Sequence, residues 1–154
     1  MIIGLRQEKR QFTFNEVIQM LNTSNLKFFL TGSRYFNHAN DSSDWDFFVD
    51  RTSESINFIK GLGFEPFVAS ELDKFYGNHY EGLSDVTIYQ LITIDGKKIQ
   101  IQLLEGHDAS NVKFAVQKNI KDLGTTFTNL PKSERKKVWS AMLNIAWYYL
   151  PVQS

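Results

Sequence analysis

Residues 28–50 read FFLTGSRYFNHANDSSDWDFFVD, and the fold turns on how this stretch is read. An apolar run over residues 26–30 stops at Thr31-Gly32-Ser33, and a second run, Phe47-Phe48-Val49, is entered through Ser43-Asp44-Trp45-Asp46. Successive strand side chains point to opposite faces, so Asp44 and Asp46 project from one face while Trp45 turns away. Neighbouring carboxylates repel unless something positive lies between them, and a divalent cation is the usual remedy. Glycine tolerates a left-handed backbone, so amides freed at Gly32, Ser33 and Arg34 can face phosphate oxygens. One short segment therefore offers a metal site and a phosphate cradle.

Strand, Gly-Ser, about ten residues, then Asp-x-Asp at the start of another strand resembles the nucleotidyltransferase superfamily of the DNA polymerase β type, in its minimal form. The matching residues are Gly32, Ser33, Asp44 and Asp46, with the flanking apolar runs over residues 26–50 and a weaker echo over residues 97–105. The resemblance implies that Gly32 and Ser33, with Arg34 as the third candidate, hold the phosphates of a nucleoside triphosphate, with ATP expected. It also implies that Asp44 and Asp46 bind two divalent metals, Mg2+ or Mn2+. A third carboxylate is expected on the adjacent strand, where it binds metal and takes the acceptor's proton. Here that strand reads Ile99-Gln100-Ile101-Gln102-Leu103-Leu104-Glu105, with Gln100 and Gln102 in the polar alternation. Gln102 is accordingly placed with Asp44 and Asp46 in the catalytic set, as a ligand without charge. Glu105 is the nearest acid, on the opposite parity, and would need a bulge to turn inward.

At 154 residues the chain is long enough for one domain with its own core, expected to span 1–154, with the core at about 13–106 and a helical part at about 108–150. Apolar residues make up 42%, and 13 Phe with 3 Trp supply bulky core contents. Lysine plus arginine (17) balances aspartate plus glutamate (17), so no global field announces a nucleic-acid or membrane partner. The absence of cysteine excludes disulfides and thiolate metal sites and suits a cytoplasmic interior. The apolar part of the N-terminus is too short for a signal peptide, and nothing approaches a membrane span.

From Thr13, TFNEVIQMLNTSN places Phe14, Val17, Ile18 and Leu21 on one helical face, with Thr13 and Glu16 as a capping box. A short turn through Ser33-Arg34-Tyr35-Phe36 would add partial positive charge to the phosphate cradle. Residues 51–63 read as a capped helix ended by Gly61-Leu62-Gly63, and Phe64-Glu65-Pro66 as a connection or edge strand. Residues 71–80 read as a short helix or a loop. Residues 86–94 and 98–104 form a hairpin turning at Asp95-Gly96. A helix carrying Val112, Ala115, Val116 and Ile120 follows, capped from Asp108-Ala109-Ser110. Leu130-Pro131 then opens a last helix, basic at Lys132, Arg135, Lys136 and Lys137 and apolar nearly all round over residues 138–150. Such a helix sits deep in the fold or pairs in a homodimer.

The expected fold is α/β (α+β), a mixed sheet of four to five strands with helices mainly on one side and C-terminal helices. Arg34 either clamps a phosphate or pairs with Asp41 or Asp44. Lys97 and Lys98 read as turn solubility, and the basic run over residues 132–137 as a solvated helix face or a nucleic-acid contact. His38, His79 and His107 show no metal-ligand spacing. Two functions remain open. One is transfer of a nucleoside monophosphate to a hydroxyl of a protein, RNA or small-molecule acceptor. The other is a catalytically reduced nucleotide-binding or protein-interaction member of the same fold.

Overall fold

The structure, a computed structural model, describes residues 12–37, 39–66, 87–106 and 108–149. All three histidines, residues 71–80 and the ends of the chain, with the readings made on them, lie outside the described residues. Helix α1, Phe14–Thr23, begins where the capping box places it. The Thr13 hydroxyl accepts from the Glu16 amide at 3.2 Å, and the Glu16 carboxylate accepts from the Thr13 amide at 2.8 Å. Its first amide, from Phe14, donates to the Asp95 carboxylate at 2.9 Å, which ties the helix start to the hairpin turn.

Strand β1, Phe29–Thr31, leads through the single turn α2, Gly32–Tyr35, and a loop to β2, Trp45–Asp50. Helix α3, Ser53–Gly61, and the two-residue β3, Glu65–Pro66, follow. The hairpin β4, Thr87–Ile92, and β5, Lys98–Leu104, comes next, and Gly96 takes φ +80° in its turn. Helices α4, Ala109–Asp122, α5, Thr125–Thr128, and α6, Lys132–Tyr149, complete the order. The protein is thus α+β, with a five-stranded mixed sheet ordered β1-β2-β5-β4-β3. Strands β2 and β5 run parallel and the other pairs antiparallel. Pro66 sits on the edge strand, where a missing amide costs no ladder bond.

The sheet is apolar on both faces, because β2 buries Phe48 on one side and its neighbour Val49 on the other, at 0% and 2% exposure. Val49, Ile99, Ile101 and Leu103 pack with Val17 and Leu21 of α1 and Ile59 of α3. Phe48 and Leu104 pack with Phe29, Ala109 and Phe114, and α4, α5 and α6 extend that side through Val116, Ile120, Phe127 and Leu143. The helices therefore divide between the faces rather than gathering mainly on one. Two adjacent buried residues of opposite parity require cover on both sides. No described helix is long and apolar enough to cross a membrane.

Candidate functional site

The Gly-Ser turn and the acidic pair meet because β1 and β2 are neighbours. Thr31, the last residue of β1, lies opposite Asp46 in the antiparallel register. Gln117 of α4 fixes this strand end, since its amide nitrogen donates to the Leu30 carbonyl at 2.8 Å and its amide oxygen accepts from the Thr31 hydroxyl at 2.8 Å. Gln117 is 0% exposed, so both of its bonds are made out of water, where leaving either group unpaired would be costly.

Gly32 then turns the chain with φ +70°. A β-carbon at this position would lie 2.5 Å from Oδ2 of Asp46. The position thus needs glycine twice, for the left-handed backbone and for the close approach of the carboxylate. Turn α2 contributes backbone amides beside Asp46; at four residues it has too few aligned peptides to act through a helix dipole.

Arg34 serves the loop behind this turn. Its guanidinium donates to the carbonyls of Ser43 at 2.8 Å and Asn40 at 3.2 Å, and stacks on Trp45 at 4.1 Å. Among the described residues it does not line the cleft that Gly32 and Ser33 line. It holds the segment carrying Ser43 and Asp44 against β2, which makes it a positioning residue rather than a direct clamp on phosphate.

That cleft encloses about 400 Å3. Its lining brings Gly32, Ser33, Asp44 and Asp46 together with Gln100 and Gln102 of β5. The helices add Lys113 of α4 and Lys132, Arg135, Lys136 and Trp139 of α6 to the same lining. The basic start of α6 is therefore a cleft wall rather than a merely solvated helix face, while Lys137 points elsewhere and pairs with Glu134 at 3.4 Å. Gln100 lies directly opposite Asp46 in the parallel register, and Gln102 opposite Phe48. Glu105 is excluded from the site. It pairs with Arg51 at 3.5 Å, beyond the end of β5 and about 16 Å along the strand from Gln100 at ~3.3 Å per residue.

Lys113 is the residue that sequence reasoning missed. It is 5% exposed, donates to the amide oxygen of Gln102, and stands 4.9 Å from the Phe48 ring and 5.7 Å from that of Trp139. Burial pushes its pKa down to about 7, against the opposing attraction of Asp46. Burial and then the neighbouring Asp44 push Asp46 up to about 6, against the pull of Lys113, Lys98 and Arg34. A signal was present in the sequence. The buried stripe of α4 is Ala109, Ser110, Lys113, Val116, Gln117 and Ile120, so a lysine and a glutamine fall within helical spacing of apolar residues. Expecting Val112 and Ala115 in that stripe rotated it away from Lys113; Ala115 is exposed. The helix cap also differs, because Asp108 makes no side-chain cap bond and the distant Asp50 accepts from the Ser110 amide at 3.0 Å.

The donor set fits one hard cation. Mg2+ is commonly held by one or two carboxylates with substrate phosphates and water filling its remaining positions. Asp44 and Asp46 meet that requirement; burial first and then the Asp44 charge raise the Asp46 pKa, and a cation between the two carboxylates would relieve the second of these. Among the described residues no group of three histidine, cysteine, aspartate or glutamate side chains is placed to hold a metal. Scans against protein-family models, curated proteins and solved structures each return no match to this chain.

Proposed function

We propose that the cleft binds a nucleoside triphosphate, ATP first among them, together with Mg2+ or Mn2+, and transfers the nucleoside monophosphate to an acceptor hydroxyl. The observation that carries this reading is that one cleft is lined by both kinds of group, Gly32, Ser33, Asp44 and Asp46 together with Lys113, Lys132, Arg135 and Lys136. A polyphosphate with a bound cation carries both signs of charge, and this arrangement complements both. Asp44 and Asp46 would hold the cation, which when bound offsets charge developing on the phosphates. Backbone amides at Gly32 and Ser33 orient the phosphates, and the α6 cations receive the departing pyrophosphate. The acceptor oxygen bonds to the α-phosphorus as the bond from that phosphorus to the pyrophosphate oxygen breaks. The acceptor proton passes to solvent, because neither Gln100 nor Gln102 is a base.

That last point also favours a second reading, in which the cleft binds nucleotide without turning it over. The lack of cysteine is consistent with work in the cytoplasm. Incubation with each α-phosphate-labelled nucleoside triphosphate, Mg2+ or Mn2+, and a cell lysate separates the two readings. Transfer predicts label on a lysate component and release of pyrophosphate. Retention of nucleotide with neither product would leave the binding reading in its place.

A further inference from the structure

Beside the acidic pair this cleft carries a buried ammonium, Lys113, held on the amide oxygen of Gln102. A second cation beside Asp46 would be favoured by a further acid on the neighbouring strand, and there the register puts the amide Gln100. The other amide on that strand, Gln102, gives its oxygen to the Lys113 ammonium. Lys113 enters from α4, nearly out of water between the rings of Phe48 and Trp139, and its charge acts on Asp46. An aliphatic residue would serve the packing of this stripe at lower cost, since burying an ammonium is strongly unfavourable without a compensating partner.

We infer that the cleft takes a single divalent cation, with the Lys113 ammonium, held by Gln102, standing where a second cation would otherwise sit. The inference rests on the nucleotide reading above and makes it specific to this chain. The pairing is self-consistent in charge. An aspartate at either glutamine would call for another cation, and an ammonium there would repel one, so amide and lysine belong together. The compact, strongly hydrated ammonium suits an oxygen-lined position that a small divalent ion would also occupy.

The test is the number of Mn2+ ions bound per chain, counted by equilibrium dialysis with electron paramagnetic resonance, using the nonhydrolysable α,β-methylene-ATP. One Mn2+ retained with one analogue is expected at saturation. Two Mn2+ with one analogue would overturn the inference and leave the nucleotide reading intact, whereas no retained analogue would overturn both. The double variant Gln100→Asp/Lys113→Met restores an acid beside Asp46 and removes the ammonium, so its count should rise from one to two. A folded double variant that still binds only one would also overturn the inference, and if it fails to fold the wild-type count decides.

Discussion

Asp46→Asn should make the ligand-free protein more stable while removing nearly all of its response to magnesium nucleotide. The side chain keeps its size and loses its charge. In the folded protein burial and Asp44 hold the Asp46 pKa up at about 6, above its ordinary value of 3.8. A raised carboxyl pKa contributes stability that is complete below about pH 4 and is lost as pH climbs through about 6. Lys113 has the opposite history. Its pKa is lowered to about 7, so its burial cost is present below pH 7 and fades as pH rises toward its ordinary value of 10.5. Stability of the wild type should therefore fall between about pH 4 and 6 and recover above about 7. At pH 8 the substituted protein should exceed it by about 1–3 kcal/mol, since one pKa unit corresponds to about 1.4 kcal/mol. The fall between pH 4 and 6 should flatten in the same variant. Urea unfolding at a series of pH values reads both effects. Transfer should drop about a thousandfold, because a lost metal ligand forfeits several kcal/mol of charge stabilisation. A variant less stable at pH 8, or one as active as the wild type, contradicts this account of Asp46.

Gln100→Asp should act in the other direction. Gln100 is the direct register neighbour of Asp46, buried at 6% exposure, and makes one long bond to Gln90 at 3.4 Å. A carboxylate there supplies the proton acceptor that the amide cannot. General-base assistance is typically worth about 10^2 to 10^4 in rate, so transfer should rise within that range. The same carboxylate would crowd Asp46 and lower ligand-free stability, which magnesium nucleotide should restore by mass action. Single-turnover kinetics with labelled nucleotide separate the chemical step from binding. A folded Gln100→Asp protein that binds magnesium nucleotide and transfers no faster than the wild type would show that a missing base does not limit the reaction.

Those elements whose determinants are local were legible in the sequence. The Thr13-Glu16 box set the start of α1, alternation gave β5 as residues 98–104, and Asp95-Gly96 turned the hairpin. Gly32 could be set near Asp44 in advance because a glycine turn and an alternating acid pair are written within one stretch, whereas it is Asp46 that the turn touches. What escaped was decided by distant packing. Arg34 found carbonyls and the Trp45 face rather than a phosphate, since the loop that returns to β2 folds around it. Lys113 escaped because a buried lysine looks like a solvated one until α4 is rotated against the sheet. The basic lining needed α6 to pack against α4 and α5, a placement set by Phe127, Val138, Trp139 and Leu143 rather than by the charges themselves. Glu105 was drawn off by Arg51 at the far end of the strands.

The central claim is that Asp44 and Asp46 hold a cation for a nucleotide whose phosphates also meet the α6 wall. Isothermal titration of the wild type and of Asp44→Ala/Asp46→Ala with ATP, with and without Mg2+, tests it most directly. The account predicts saturable binding by the wild type that weakens at least tenfold when Mg2+ is removed, and loss of that metal dependence in the double variant. Equal affinity with and without Mg2+ in the wild type, or the same Mg2+-dependent binding in the double variant, would contradict it.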